Sequence, residues 1–277
     1  MIAPMHLAHW RTKAPWGSDA QIEQDLVLTK AVILFYSNPH LAEAFAFRGG
    51  TAMQKLFFDL PTRYSEDIDL VQIRQEPIGP AIDAIRQEFD PWLGEPRRNI
   101  KQSRVTLIYR FESEMPPIQR MRLKIELNTG EHFTVLSPKR CRIHCESDWF
   151  KGSATVLTYE LEELLGTKMR ALFQRKKGRD LYDLAMALKH FKKLDLIKTV
   201  HCFQRYMEHD KATVTRAQFE ANLAEKLADP AFHQDIHPLL TQGARAFDVE
   251  AEAKHVQNAF LSLLPGHPWK GSETLKG

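Results

Sequence analysis

The sequence predicts an α+β protein with a strand-containing N-terminal part and an all-helical C-terminal part. Two middle segments, residues 105–111 and 121–128, alternate apolar and polar side chains as half-buried strands do. From Thr158 onward, apolar residues recur at helical spacing instead. We therefore predict two domains, residues 1–155 and residues 156–277.

The elements of the N-terminal part follow from local signals. Residues 1–17 contain two prolines and are predicted to be an irregular arm. Ser18 followed by Gln21 forms a capping box that begins a helix, and Asn38-Pro39 ends it. Further apolar patterns predict strands near residues 44–47, 68–71 and 133–136, and helices near residues 51–57 and 78–89.

The C-terminal part shows only helical periodicity. The predicted helices cover residues 159–176, 180–190, 195–208, 215–228 and 249–264.

Composition excludes several classes of protein. Of the 277 residues, 43% are apolar and 26% charged, which is ordinary for a globular protein and unlike a disordered or collagen-like chain. No apolar stretch is long enough to cross a membrane, and the first residues lack the apolar segment of a signal peptide. Only three cysteines are present, as is typical of a reducing cytosol. A cytoplasmic protein is expected.

The first candidate site is the turn Arg48-Gly49-Gly50-Thr51, where a predicted strand meets a predicted helix. Glycines let a backbone approach a phosphate closely, and the N-terminal amides of the helix supply hydrogen-bond donors. The Thr51 hydroxyl can add a further bond or cap the helix. An ordinary turn is the alternative interpretation.

Asp67 and Asp69 form the second candidate site. In a strand, residues i and i+2 face the same side about 6–7 Å apart, so the two carboxylates should converge. Their mutual repulsion favours a bound cation, and Mg²⁺ is the hard cation that carboxylates and phosphates bind together. A solvated acidic edge strand is the alternative.

Glu126 lies on the polar face of the second middle strand. A third carboxylate beside Asp67 and Asp69 would suit a two-metal site. Alternatively, Glu126 pairs with Lys124 or with a cation on a neighbouring strand.

Lys168 falls near the middle of the apolar stripe of the helix at 159–176. A lysine on an inward face needs an anionic partner, which could be a triphosphate or an internal carboxylate. A lysine that extends its ammonium to solvent at the edge of the core is the third possibility.

A basic run and an acidic pair follow Lys168. Asp180 could cap the next helix, and it shares one helix edge with Asp183. The preceding cations have no acid between them and form a basic helix end suited to phosphates, or a solvated helix terminus. They are Lys168, Arg170, Arg175, Lys176, Lys177 and Arg179.

Taken together, these segments resemble the AbiEii/AbiGii-type nucleotidyltransferase toxins, which include the MenT toxins and lie within the polymerase-β-like nucleotidyltransferase superfamily. The matching stretches are FRGGTAMQKLFFDLPTRYSEDIDLV, RLKIELNTGEHF and ELLGTKMRALFQRKKGRDLYDL. The resemblance extends from about residue 21 to residue 184. The long spacer between Gly50 and Asp67, which contains Arg63 and Ser65, is typical of this toxin branch.

The resemblance implies a nucleotidyltransferase-type mixed sheet flanked by helices, followed by a helical bundle that completes the active site. It also implies roles for individual residues. Gly49, Gly50 and Thr51 would bind the NTP, with Arg48 and Arg63 as phosphate contacts. The catalytic set would be Asp67, Asp69, Glu126, Lys168 and Asp180. Within it Asp67, Asp69 and Glu126 would hold two Mg²⁺ ions, although Glu126 could instead be a base for the acceptor hydroxyl. Lys168 would contact the triphosphate.

The implied function is that of a toxin in a toxin–antitoxin system. It would transfer a nucleoside monophosphate from an NTP to an acceptor hydroxyl, with a tRNA 3′ end as the expected acceptor, and so inhibit growth. A cognate antitoxin, directly bound or acting indirectly, is the implied partner. The alternatives are a nucleotidyltransferase that modifies an antibiotic, another small molecule or a protein, and a non-catalytic nucleotide-binding protein.

Overall fold

A computed structural model describes residues 2, 4–114, 116–241 and 247–271 of the chain. The chain divides into two compact units. The sheet unit comprises Met1–Glu160 with Leu240–Gln242, and the helical unit comprises Leu161–Leu239 with Gly243–Gly277. The α+β class and the mixed sheet predicted from the sequence are confirmed.

All strands of the described residues belong to one seven-stranded sheet with the order β3-β4-β5-β2-β1-β7-β6. The pairs β2–β5 and β1–β7 are parallel, and the other pairs are antiparallel. The strands are β1 (Phe45–Arg48), β2 (Asp67–Gln72), β3 (Arg97–Lys101), β4 (Arg104–Glu112), β5 (Arg120–Asn128), β6 (Lys139–Glu146) and β7 (Lys151–Thr158).

Helices cover the apolar face of this sheet. The Gln24 side chain of α2 donates to the Arg122 carbonyl of β5 at 2.8 Å. Phe89 of α5 packs against Tyr109 of β4 with ring centroids 5.8 Å apart. The helices of the sheet unit are α1 (Pro4–Trp10), α2 (Asp19–Ser37), α3 (Pro39–Ala44), α4 (Gly49–Leu56) and α5 (Gly79–Leu93).

The described part of the helical unit contains no strand. Its helices are α6 (Leu161–Gln174), α7 (Gly178–His190), α8 (Leu196–His209), α9 (Arg216–Leu227), α10 (Pro230–Gln234) and α11 (Val249–Ala259), with 3₁₀ turns at His237–Leu239 and Leu261–Leu263. None of the described helices is long and apolar enough to cross a membrane.

Several elements differ from the prediction. The predicted irregular arm contains α1, which Trp10 anchors by donating its indole N–H to the buried Asp25 carboxylate at 2.9 Å. The strand predicted at residues 133–136 is wrong, because that segment is a loop. The hairpin of β6 and β7 follows this loop, and its many exposed polar residues leave little apolar periodicity.

Cys141, His144 and Cys145 lie close together on β6. Alternation along a strand places the two cysteines on one face and His144 on the other. The three cysteines of the chain are free thiols.

Candidate functional site

The Gly49-Gly50-Thr51 turn connects β1 to α4 in a geometry that requires glycine. Gly49 has φ +80°, in the left-handed region that side chains disfavour. A Cβ on Gly49 would overlap the Asp69 carboxylate, and a Cβ on Gly50 would overlap the Arg63 guanidinium. The turn therefore lies directly against one predicted metal ligand and one predicted phosphate contact.

Replacing Gly49 by Ala should lower the free energy of unfolding by about 1–3 kcal/mol, since alanine combines the unfavourable φ with the overlap on Asp69. Urea denaturation would measure the change. Gly79→Ala is the matched control, because a Cβ at Gly79 meets nothing within 4 Å. Equal stability of the two variants would contradict the packing described for Gly49.

Thr51 ties the turn to β2. Its hydroxyl donates to the Asp67 carbonyl at 2.6 Å and lies 2.9 Å from the Ser65 hydroxyl. Since Thr51 is almost fully buried, its hydroxyl fixes the turn relative to the acidic strand. The helix begins without a side-chain cap, so of the two roles open for the Thr51 hydroxyl, the structure shows a further hydrogen bond and not helix capping.

Asp67 and Asp69 lie on one face of β2, beside the same face of β5. In the parallel register Asp67 is opposite Lys124 and Asp69 is opposite Glu126. The Lys124 ammonium lies 2.9 Å from Asp67 Oδ2 and 2.8 Å from Glu126 Oε1. The sheet thus brings the three predicted metal ligands onto one surface, with a lysine between two of them.

Lys124 is the residue that the predicted site set omitted. Burial lowers the pKa of Lys124, but hydrogen bonds and charges from Glu126 and Asp67 outweigh burial and raise it. Lys124 is therefore a cation at neutral pH, holding two carboxylates that would otherwise repel each other. Its position two residues before Glu126 on the polar face of the strand was the available sequence signal.

The donor set fits a hard divalent cation. Asp67 Oδ1 is buried and has no hydrogen-bond partner, and the Asp69 carboxylate lies against a residue without a side chain. All the candidate donors are carboxylate oxygens, which Mg²⁺ prefers. Among the described residues, no group of three or more acidic, histidine or cysteine side chains already has a metal-binding arrangement.

Two predicted phosphate contacts, Arg48 and Arg63, flank the turn. The Arg48 guanidinium forms an ion pair with Glu131, which lies in the loop after β5. Burial lowers the pKa of Arg48, whereas the charges of Glu131, Tyr159 and Asp69 raise it overall. Arg63 is buried and donates to the Tyr64 carbonyl at 2.9 Å. Both guanidinium groups therefore make contacts within the sheet unit.

Lys168 and Asp180 belong to the helical unit, where they form a charge cluster with the buried Asp183 and the half-exposed Arg175. Lys168 Nζ lies 3.3 Å from Asp180 Oδ1 and 2.8 Å from Asp183 Oδ2. Arg175 binds both Asp180 oxygens, at 2.7 and 2.8 Å. Of the alternative partners predicted for Lys168, the structure contains internal carboxylates. One of them, Asp183, was not among the predicted site residues.

The charges of this cluster set the pKa of Asp180. Burial alone would raise the pKa, but the Lys168 charge and the hydrogen bonds from Arg175 outweigh it, and the pKa is lowered. Asp180 is thus an anion at neutral pH, despite having no exposed side-chain surface.

The basic run around Lys168 is neutralised within the helical unit. Besides the cluster above, Arg170 pairs with Asp210 at 3.4 Å, Lys176 with Asp229 at 2.9 Å and Lys177 with Asp235 at 3.1 Å. Arg179 lies 4.0 Å from the same Asp235 carboxylate. These partners are distant in sequence, so the run looked unpaired in the sequence alone.

Comparison with known proteins bears on the family and the fold of the chain. The profile of the family described as nucleotidyl transferase AbiEii toxin, Type IV toxin–antitoxin system, matches residues 32–258. No curated protein sequence matches the chain.

Two solved structures are similar in fold. MenT4, a nucleotidyltransferase toxin from Mycobacterium tuberculosis H37Rv, superposes with a TM-score of 0.67 at 16% identity, covering 96% of this chain and 91% of that chain. JHP933 from Helicobacter pylori superposes with a TM-score of 0.52 at 14% identity, covering 89% of this chain and 92% of that chain. At such identities the likeness concerns the fold.

The family match spans most of the chain and includes the glycine turn, both β2 carboxylates, Lys168 and Asp180. It confirms the resemblance inferred from the sequence motifs and the prediction of a nucleotidyltransferase. The protein therefore belongs to the AbiEii family of nucleotidyltransferase toxins of toxin–antitoxin systems.

Proposed function

We propose that this toxin transfers a nucleoside monophosphate from an NTP to an acceptor hydroxyl in an Mg²⁺-dependent reaction that releases pyrophosphate. The observation that carries the proposal is the position of Asp67 and Asp69 beside the glycine turn. The Asp69 carboxylate lies against Gly49, and the Asp67 carbonyl accepts from Thr51. The β2 carboxylates are thus adjacent to the first amides of α4, which begins at Gly49.

The residues of the sheet unit have distinct roles in this proposal. Asp67, Asp69 and Glu126 would hold the metal, and the turn with the first amides of α4 would bind the phosphates. Bound Mg²⁺ supplies neutralisation of the phosphate charge and activation of the attacking hydroxyl. Lys124 fixes the orientation of Asp67 and Glu126 through its two ion pairs.

Lys168 and Asp180 keep the roles implied by the family resemblance. Lys168 is proposed to contact the triphosphate, and Asp180 to be needed for activity. Asp183 and Asp180 hold the Lys168 ammonium in a defined position, which would orient it for a phosphate. Arg48 and Arg63 are proposed as further phosphate contacts.

We further propose a tRNA 3′ end as the acceptor, with growth inhibition as the consequence. Membership in a toxin–antitoxin family supports both a growth-inhibiting activity and a cognate antitoxin, directly bound or acting indirectly. A supply of NTPs and tRNA places such a reaction in the cytoplasm.

The test is a transfer assay. The purified protein is incubated with each α-³²P-labelled NTP, Mg²⁺, total RNA and cell lysate, and the labelled product is identified by gel electrophoresis. We expect label in the tRNA fraction with one preferred NTP, and none when EDTA removes the metal. Label at internal tRNA positions instead of the 3′ end, detected by nuclease mapping, would contradict the proposed acceptor.

Other outcomes decide between the alternatives. Label in protein or in a small molecule would replace the tRNA proposal with that acceptor. If no molecule became labelled and no NTP shifted the melting temperature of the protein, neither nucleotide transfer nor nucleotide binding would be supported. That result would overturn the proposal.

A further inference from the structure

Basic side chains are concentrated on one exposed face of the sheet, on strands β3, β4 and β5. The antiparallel registers place alternate residues of these strands on the same side as Lys124 and Glu126. We call this surface the arginine face. Its basic residues are Arg97, Lys101, Arg104, Arg110, Arg120 and Arg122. The same side of these three strands carries only two acidic residues, Glu112 and Glu126.

Four of these cations have no ion-pair partner. Among the described residues, Arg97, Lys101, Arg110 and Arg120 lie within ion-pair distance of no carboxylate, while Arg122 pairs with Glu66 at 3.5 Å and Arg104 with Glu126 at 3.8 Å. In the basic run of the helical unit, by contrast, each cation has an acidic partner. Of these two basic surfaces, the one on the sheet therefore carries the unpaired positive charge.

Arg110 and Arg122 are directly opposite each other on β4 and β5. Like charges at such a pair destabilise a sheet. Cations on an edge strand can prevent unwanted strand pairing, which would account for those of β3. Arg110 and Arg122 lie beyond Ile108 and Lys124, where the pairing of β4 with β3 and of β5 with β2 ends, so β4 and β5 pair only with each other at this end of the sheet. A bound polyanion would remove their repulsion.

The arginine face adjoins the candidate catalytic carboxylates. Along β5, Arg120, Arg122 and Lys124 follow one another at every second residue, about 6–7 Å apart. Lys124 already contacts Asp67. Arg110, Arg120 and Arg122 also line an open cleft of about 1160 Å³. A single strand of nucleic acid lying along this cleft would present its phosphates to the arginines and its end to Asp67.

We propose that the arginine face binds the phosphate backbone of the RNA acceptor. The inference rests on the proposed transfer to an RNA end, and it assigns acceptor binding to β4 and β5 instead of the basic run at residues 168–179. Arg110 and Arg122 are acceptor-positioning residues in this proposal.

The test compares two double variants that each remove two positive charges. Arg110→Gln/Arg122→Gln alters the arginine face, and Lys176→Gln/Lys177→Gln alters the paired run. Binding of a fluorescein-labelled tRNA transcript is followed by anisotropy over a series of KCl concentrations. We expect the arginine variant to bind about tenfold more weakly at low salt, with the slope of log K against log salt reduced by about 1.4.

The lysine variant should bind tRNA like the wild type. Arg110→Lys/Arg122→Lys should recover most of the affinity, since it keeps the charge, whereas a merely structural defect would also appear as a lower melting temperature. An unchanged slope in the arginine variant, or an equal loss in the lysine variant, would overturn the inference. The anisotropy assay measures tRNA binding and requires no nucleotide transfer. A failure of nucleotide transfer would therefore count against the proposed function and would not affect the test of the arginine face.

Discussion

Asp67→Asn should reduce nucleotide transfer by about 100- to 1000-fold while leaving the protein folded. Asparagine keeps the shape of the side chain but removes the negative charge that attracts a divalent cation. Asp67 Oδ1 is buried without a hydrogen-bond partner, so the site is built around an unsatisfied anionic oxygen. Initial transfer rates at saturating NTP, measured over a range of Mg²⁺ concentrations, would quantify the loss.

An aspartate in the turn between β6 and β7 supplies the matched control. Asp148→Asn makes the same substitution in a side chain that is 69% exposed. Transfer by this variant should stay within about twofold of the wild type. If Asp67→Asn kept more than a tenth of the wild-type rate at every Mg²⁺ concentration, Asp67 would not be a metal ligand in this reaction.

Asp183→Asn is expected to lower the free energy of unfolding by about 3–5 kcal/mol, because it leaves a buried ammonium with a poorer counter-charge. Asp183 is fully buried and lies 2.8 Å from Lys168. Glu208→Gln, which breaks an exposed pair with Arg205, should change the same quantity by less than about 1 kcal/mol. Chemical denaturation of the three proteins in parallel would measure these differences.

A double variant separates the loss of counter-charge from the loss of packing. Lys168→Met/Asp183→Asn should be more stable than Asp183→Asn alone, since it removes the buried ammonium that has lost one of its two carboxylates, and Asp180 keeps its bond to Arg175. If the double variant were less stable than the single one, the loss would come from packing and not from the missing counter-charge.

The same cluster predicts a pH dependence. The pKa of Asp180 is lowered in the folded protein, so its contribution to stability is present above the pKa that the group has when unfolded. That contribution is lost as pH falls through the folded pKa. The stability difference between wild type and Asp180→Asn should therefore shrink below about pH 4. A difference that stayed constant across this acidic range would contradict the assignment.

The sequence by itself determined the elements whose apolar residues repeat at a regular spacing within the element. The alternation of apolar and polar residues in β4 and β5 and the apolar stripe of α6 could be recognised in the sequence, because the buried residues of each segment lie at fixed spacings. The β2 carboxylates and the glycine turn were readable as well, since both are local motifs. By contrast β3 and β6 expose most of their side chains and are stabilised by pairing with neighbouring strands.

Only the tertiary structure decided which charges neutralise one another. The parallel register of β2 and β5 placed Lys124 between Asp67 and Glu126, and no local pattern specifies that register. The basic run at residues 168–179 looked like the phosphate-binding surface in a chain of net charge +3. Its partners are contributed by distant segments, and the unpaired arginines lie on the sheet. Pairing of charges depends on distances in space, which the order of residues alone does not fix.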